Sequence, residues 1–263
     1  MRILFTGDVV GRPGRDAFFT LLPRLRALKG PFDFVIVNGE NSAAGHGLTG
    51  KIMSEFFEAG VDVLTSVNHI WDKRDFWPVL DEEPRVLRPL NYPQGVPGHG
   101  WTVAVSRGGK RLAVVSLQGR VFMPLTDYPF KAMDELLPGI GDLPVFVDFH
   151  AEATSEKRVM GLYLDGRISA LVGTHTHVQT ADEEILPGGT AYITDAGMTG
   201  AFHSSIGMTY ESVLPKFLTS LPARFEVAEE DVRFNGVIVD IDDEDGRACN
   251  IERLAFSAGE LGE

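Results

Sequence analysis

The sequence is poor in cysteine and in positive charge, and each shortage excludes a class of protein. Cys249 is the single cysteine, so no intrachain disulfide can form, which is typical of proteins of the reducing cytosol. Asp and Glu number 37 against 24 Lys and Arg, and the net charge of −13 disfavours binding to a nucleic-acid backbone. We therefore expect a cytoplasmic protein that forms no stable complex with DNA.

Long apolar runs and linker-like segments are also missing. No stretch approaches the roughly 20 apolar residues of a membrane span. The apolar start, MRILFTGD, meets Asp8 too early to be a signal peptide. We expect no membrane association. No Ser/Gly-rich linker or internal repeat divides the 263 residues, which predicts a single domain over residues 1–263.

The first part of the chain alternates between short apolar strands and amphipathic helices. Strands are predicted at residues 2–7, 32–37, 61–67, 144–149, 168–173 and 190–195. The β-α-β-α-β order at the start predicts parallel strands with helices outside. A hairpin is predicted around the Arg-Gly-Gly-Lys turn within 101–118, and short strands with acidic turns over 224–256. We predict an α/β protein with two packed sheets and helices on both outer faces.

Most of these strands end in a side chain that can bind a metal ion. In chain order the donors are Asp8, Glu40 with Asn41, Asn68 with His69, His150, and His175 with His177. In open parallel sheets, ligands bind beyond the carboxyl ends of the strands, so we expect these side chains to converge. Mixed nitrogen and oxygen donors favour iron, manganese or zinc over magnesium or calcium, and the lack of thiolates disfavours a structural zinc site. The pattern predicts a two-metal centre.

His175 and His177 form the most suggestive pair of donors. They follow the apolar strand ISALVG at a spacing of i, i+2, which places both imidazoles on one face of an extended chain. Two neutral imidazoles at the end of a strand are well placed to bind a metal. The alternative is a pair of surface or hydrogen-bonded core histidines without a metal.

Five short motifs resemble, in order, those of the calcineurin-like metallophosphoesterases. They are Gly7-Asp8, Asn38-Gly39-Glu40-Asn41, Asn68-His69, His150 and Gly173-Thr174-His175-Thr176-His177. The sequence departs from that superfamily in two places. The opening Asp-x-His is Asp8-Val9-Val10, and Glu40 stands where the superfamily has a bridging Asp. With GDVVGRPGR, NGENSAAG and THTHVQTAD, these departures resemble the bacterial YmdB-type subfamily over essentially the whole chain.

The resemblance implies a fold, an activity and a set of ligands. The implied fold is a four-layer α/β/β/α sandwich. The implied activity is that of a hydrolase, a 2′,3′-cyclic-nucleotide phosphodiesterase that uses two divalent or trivalent metal ions, iron or manganese, and that forms a homo-oligomer. Metal 1 would be held by Asp8, Glu40, Asn41 and His177, and metal 2 by Glu40, Asn68, His150 and His175.

The implied chemistry is attack of a metal-bound hydroxide on phosphorus. Two cations bridged by Glu40 would lower the pKa of a shared water and neutralise charge on the phosphoryl oxygens. In the resemblance, His69 is the general acid that protonates the leaving oxygen. The alternative is that His69 merely hydrogen-bonds beside the site. Asp72 either orients His69 or caps the helix that follows.

Substrate contacts are the weakest part of the sequence-based interpretation. His46, His203 and Ser204 are candidates because they lie in small-residue loops after predicted strands. His46 also suits an ordinary surface loop, and the loop of His203 and Ser204 also suits an ordinary glycine-rich turn.

Three functions are compatible with this set of residues. We favour hydrolysis of 2′,3′-cyclic nucleotides or related small phosphodiesters, with a regulatory role in RNA metabolism. One alternative is a phosphomonoesterase with the same metal site. The other is a regulatory or RNA-binding protein in which the site only senses a ligand. The missing His of the first motif favours this sensor, whereas the retained His69 disfavours it, because a sensor needs no general acid.

Overall fold

The computed structural model describes residues 1–257 and contains two stacked β-sheets with helices on either side. Its strands are β1 (Arg2–Thr6), β2 (Asp8–Val9), β3 (Phe34–Asn38), β4 (Val63–Thr65), β5 (Val86–Leu87), β6 (Trp101–Val105), β7 (Arg111–Gln118), β8 (Val145–His150), β9 (Ala170–Thr174), β10 (Glu184–Ile185), β11 (Ala191–Ile193), β12 (Met198–Ala201), β13 (Val232–Ile241) and β14 (Ala248–Ser257). Its α-helices are α1 (Gly11–Lys29), α2 (Gly50–Glu58), α3 (Trp77–Glu82), α4 (Pro129–Ile140), α5 (Thr154–Leu164) and α6 (Tyr210–Thr219).

Both sheets are mixed. The first has the order β2-β12-β13-β1-β3-β4-β5, with β14 also paired to β13. Strands β1, β3, β4 and β5 are parallel, as the β-α-β-α-β pattern predicts. The second sheet has the order β10-β11-β9-β8-β7-β6, in which β7, β8, β9 and β11 are parallel. The predicted hairpin is confirmed as the antiparallel pair β6–β7.

Successive side chains of a strand point to opposite faces of the sheet, and this creates separate hydrophobic cores. Ile3 and Phe5 of β1 face the second sheet, where the ring of Phe5 lies 5.2 Å from that of Phe146. Leu4, on the opposite face, packs in the cluster that contains Phe18 of α1. Because both faces of the central strands are covered, their sequences are continuous apolar runs.

The helices form the two outer layers. The core between α1, α2 and the first sheet includes Leu21, Phe56 and Val37. A third core lies under α4 and α5 on the outer face of the second sheet, and it includes Met133 and Met160. The predicted four-layer α/β/β/α sandwich is therefore confirmed.

Several local predictions differ from the structure. The segment 224–256 forms one long hairpin, β13–β14, rather than several short strands. Strand β12 and helix α6 were not predicted from the sequence. Helix α4 begins at Pro129, since a proline at the first helical position needs no hydrogen-bonded N–H.

The two sheets are joined at the edge where their parallel strands end. Asn38, the last residue of β3, donates a hydrogen bond from Nδ2 to Oδ2 of Asp148 in the second sheet, at 2.9 Å. The hydroxyl of Thr65, at the end of β4, donates to the same oxygen at 2.5 Å. The carboxyl ends of β1, β3, β4, β8 and β9 therefore meet in one place.

Candidate metal centre

A buried cluster of Asp8, Glu40 and His150 lies at this shared edge. Each of the three residues offers a ligand atom, and the three atoms lie within 4.8 Å of one another. All three side chains are buried, Glu40 with 2% of its surface exposed. Two carboxylates and an imidazole removed from water are costly unless they are paired or bind a metal. The cluster therefore has the composition and the burial of a metal site.

Unpaired buried oxygens strengthen this conclusion. Four side-chain oxygens of the predicted ligand set are buried without a hydrogen-bond partner. They are Asp8 Oδ1, Glu40 Oε2, Asn41 Oδ1 and Asn68 Oδ1. Buried polar atoms without partners are rare in folded proteins, and each needs a specific explanation. Hard oxygen donors are what a metal cation requires, so the residues present fit a bound metal.

His150 is held by a chain of hydrogen bonds that ends at Asp148. The hydroxyl of Thr174 donates to Asp148 Oδ1 at 2.6 Å, so its oxygen accepts from His150 Nδ1 at 2.9 Å. This leaves Nε2 of His150 facing Glu40 Oε1 at 3.0 Å. Metal-binding histidines are commonly oriented by a second hydrogen bond of this kind. The sequence analysis did not identify Asp148 and Thr174 as residues that orient His150. The aspartate inside the apolar run PVFVDF was a detectable sign of such a buried polar role.

The electrostatics of the cluster attract positive charge. Burial raises the pKa of Asp8. Burial opposes the charged form of His150, but the Glu40 carboxylate outweighs it and raises the pKa of His150 to about 9. Burial also acts against the Glu40 carboxylate, yet His150 lowers the pKa of Glu40 to about 2. A protonated imidazole thus balances the carboxylates in the metal-free protein, and a metal cation would supply the same charge.

His175 and His177 lie in a turn rather than on a strand. Strand β9 ends at Thr174, and the two histidines have φ of +104° and +65°. The prediction of an extended chain was therefore wrong for these two residues. Such left-handed conformations are uncommon for residues other than glycine and are often found at functional sites.

The turn separates the two imidazoles. Nδ1 of His175 lies 2.9 Å from Nε2 of His150, whereas Nε2 of His177 lies 3.9 Å from Asp8 Oδ1. Burial and the charge of His150 lower the pKa of His175 to about 3, which keeps its ring in the neutral form that binds metals. Each histidine therefore belongs to a different side of the cluster.

Close packing explains why a glycine, Gly173, begins the motif that contains His175 and His177. A Cβ atom added to Gly173 would lie 1.8 Å from the carbonyl oxygen of Thr194 on the neighbouring segment. Any side chain at this position would push apart the strands behind the turn.

His69 and His46 lie together at the side of the cluster. Their ring centroids are 4.8 Å apart, and His69 Nδ1 is hydrogen-bonded to Asp72 Oδ2 at 2.9 Å. Asp72 does not cap the following helical turn, whose N-cap residue is Lys73. The structure thus supports the orienting role of Asp72, and it leaves Nε2 of His69 available to a substrate.

These side chains line a cavity of about 520 Å³ above the cluster. Its lining includes Glu40, Asn41, His46, His69, His175 and His177 on one side and the loop and helix of residues 205–225 on the other. Four of the predicted metal ligands therefore share one cavity with the predicted general acid, His69.

His203 and Ser204 do not reach this cavity. His203 is exposed and pairs with Glu230 at 3.1 Å. The hydroxyl of Ser204 donates to the carbonyl of Ala201, and its oxygen accepts from the backbone N–H of Gly207. The prediction that both residues contact the substrate is not supported by these positions, because Ser204 stabilises the turn and Ser205 and Ile206 line the cavity instead.

The fold and the site together define a metallophosphoesterase-type α/β/β/α protein. Two mixed sheets are stacked, and a buried cluster of carboxylates and an imidazole lies where their parallel strands end. The chain belongs to the YmdB-like protein family, whose model matches residues 4–254. Among the described residues, no helix has both the length and the apolarity to cross a membrane.

Individual relatives agree with this assignment. The chain is 52% identical to a 2′,3′-cyclic-nucleotide 2′-phosphodiesterase of Bacillus subtilis, over 98% of this chain and 97% of the relative. A crystal structure of a hypothetical protein from Thermus thermophilus has a TM-score of 0.90 and 44% identity, covering 98% of this chain and 99% of the other. A structure of a phosphatase from Mycoplasma pneumoniae has a TM-score of 0.91 and 35% identity, covering 98% and 93%.

Proposed function

We propose that the protein is a metal-dependent phosphodiesterase that hydrolyses 2′,3′-cyclic nucleotides or related small phosphodiesters. The observation that carries this proposal is the buried cluster of Asp8, Glu40 and His150, which lies below a cavity that Glu40 and Asn41 line. Four buried oxygens of the predicted ligand set have no hydrogen-bond partner. The name of the Bacillus subtilis relative, which is 52% identical, supports the same activity and substrate.

Two metal ions, iron or manganese, would be held by the clustered donors. Asp8, Glu40, Asn41 and His177 would hold the first ion, and Glu40, Asn68, His150 and His175 the second. When bound, such ions neutralise charge on a phosphoryl group and lower the pKa of water. The position of His177 on the Asp8 side, and of His175 on the His150 side, supports this division.

His69 would protonate the leaving oxygen. With Nδ1 hydrogen-bonded to Asp72, the opposite ring nitrogen is free to deliver its proton as the bond between phosphorus and the leaving oxygen breaks. His46 packs against His69 and lines the same cavity, and its Nδ1 is buried without a partner. We assign His46 to the binding of the substrate.

We also infer that the protein is a single domain and forms a homo-oligomer in the cytoplasm. Its exposed thiol, Cys249, suits a reducing compartment. Phe122 and Leu125 are apolar side chains exposed by 90% and 83%, and a second copy of the chain would cover them. Sedimentation equilibrium measures the oligomeric state directly.

Turnover by the metal-loaded protein tests the proposed activity. We expect hydrolysis of bis-p-nitrophenyl phosphate and of the four 2′,3′-cyclic nucleotides to exceed hydrolysis of p-nitrophenyl phosphate in kcat/KM. A preference for the monoester would favour a phosphomonoesterase, an alternative supported by the similar structure of the Mycoplasma pneumoniae phosphatase. Tight binding of cyclic nucleotides without turnover would favour the ligand sensor.

A further inference from the structure

The cavity above the cluster is larger than a phosphoryl group requires. Its volume of about 520 Å³ lies within the range of roughly 300–1,000 Å³ that is typical of sites for whole small molecules. One side consists of the clustered donors. The opposite side consists of α6 and the segments before and after it, which include Ile206, Met208 and Phe225. The second side contains none of the predicted metal ligands.

Helix α6 turns one regular face toward this cavity. The helical residues that line it are Val213, Lys216 and Phe217, at i, i+3 and i+4, and Ser220 lines it as the C-cap residue just beyond the helix. This spacing places the three helical side chains in a single stripe, and Ser220 follows at the end of that stripe. The stripe combines apolar surface, one ammonium group and one hydroxyl, so it differs from the polar donors on the other side.

Phe217 is the unusual member of the stripe. It lines the cavity, yet 79% of its surface is exposed. Phe225, beside it in the lining, packs against the small core of Met208 and Val213 and lies 5.2 Å from the ammonium group of Lys216. Phe225 is therefore fixed by its neighbours, whereas the ring of Phe217 has a face available to a ligand.

We propose that this stripe of α6 recognises the nucleobase of the substrate, with Phe217 as the surface on which the base stacks. The inference rests on the proposed function, because it assumes that the phosphodiester carries a nucleoside. Every base has a flat π-face that stacks on an aromatic ring, and the interaction tolerates different bases. Lys216 and Ser220 supply hydrogen-bond donors for the acceptor atoms at the edge of a base.

Inhibition by a nucleotide and by inorganic phosphate separates base recognition from phosphate recognition. In the metal-loaded protein, the inhibition constant of adenosine 3′-monophosphate should rise about tenfold or more in Phe217→Ala, the scale of base–aromatic stacking. The inhibition constant of inorganic phosphate should stay within about twofold, because the donors that face phosphate are unchanged. Phe217→Trp should keep wild-type affinity for the nucleotide.

Leu218→Ala is the matched control. Leu218 is the next residue of α6 and is 74% exposed, but it does not line the cavity. We expect wild-type inhibition constants for both the nucleotide and inorganic phosphate in this variant. An equal rise for nucleotide and phosphate in Phe217→Ala would overturn the proposal, since Phe217 would then shape the donor side. Unchanged constants in Phe217→Ala would overturn it as well.

One further result would show that a second copy of the chain, rather than a nucleobase, covers the stripe. Another separates the base-binding proposal from the proposed function. Dissociation of an oligomer by Phe217→Ala, with unchanged nucleotide inhibition, would assign the stripe to a second copy of the chain and overturn the inference. Calorimetric binding of adenosine 3′-monophosphate that depends on Phe217, in a protein without phosphodiesterase turnover, would contradict the proposed function and support the base-binding stripe.

Discussion

Lys157 and Asp195 form a fully buried ion pair, with Nζ 2.7 Å from Oδ2, behind the turn that carries His175 and His177. The same carboxylate oxygen accepts hydrogen bonds from the backbone N–H and the hydroxyl of Thr176, the residue between the two histidines. Left-handed conformations such as those of the histidines cost about 1–3 kcal/mol each. The ion pair therefore positions a turn that would otherwise relax.

Replacing Lys157 by Met should lower the free energy of unfolding by about 3–5 kcal/mol, because Asp195 would remain buried without its partner. Metal content after purification should fall as well, since the turn loses its anchor. Chemical denaturation and elemental analysis measure both. Arg167→Met, which breaks the exposed pair with Asp134, should leave the free energy of unfolding nearly unchanged, because solvent screens that pair. Equal losses in the two variants would refute a special role for the buried pair.

Replacing Thr174 by Val should weaken metal binding without a large loss of packing. The change removes the hydroxyl between Asp148 and His150, so the imidazole loses the hydrogen bond that orients it. Loss of such an orienting partner typically costs about 10–100-fold in metal affinity. Titration of the metal-free protein with Mn²⁺ measures the change, and Thr174→Ser should restore most of the affinity. Wild-type affinity in the valine variant would contradict the prediction.

The two histidines of the turn should control different metal ions. His177 lies on the Asp8 side, so His177→Ala should strip the first ion preferentially. His175 lies beside His150, so His175→Ala should strip the second ion. Metal stoichiometry, followed with stepwise addition of Mn²⁺, distinguishes the two variants. Simultaneous loss of both ions in each variant would show that the two sites are coupled.

Removal of His69 should slow turnover rather than empty the site. His69→Ala should lower kcat by roughly 10²-fold or more, the scale of general acid catalysis, with nearly full metal content. Asp72→Asn should have a smaller effect, because the imidazole stays but loses its charged partner. His203→Ala is the control, since that exposed residue pairs with Glu230 away from the cavity, and it should keep wild-type kcat/KM. Unchanged turnover in His69→Ala would remove His69 from the mechanism.

The effect of Asp8→Asn on the melting temperature should change sign when the metal is removed. This carboxylate is buried with one oxygen unpaired, and burial raises its pKa. In EDTA, Asp8→Asn should therefore melt at a higher temperature than the wild type, because a neutral amide costs less to bury. With Mn²⁺ present the order should invert, since the wild type gains more stability from ligand binding. Thermal unfolding under both conditions tests this; the same order in both would count against Asp8 as a ligand.

The sequence alone was enough to predict the layers and the place of the site. Apolar runs such as that around Phe5 must be buried on both faces, which requires a second sheet and outer helices. Parallel strands bring their carboxyl ends to one edge, so donors such as Asp8 and His150 could be expected to meet although 142 positions separate them in the chain.

Only the tertiary structure decided how each donor is held. The chain of hydrogen bonds from Asp148 to His150 connects residues whose contact depends on strand register, which local sequence does not specify. The direction of a loop depends on packing against the rest of the fold, so His203 could be mistaken for a cavity residue. Helix α6 faces the donors for the same reason: its sequence pattern shows an amphipathic stripe, but only the folded chain determines what that stripe faces.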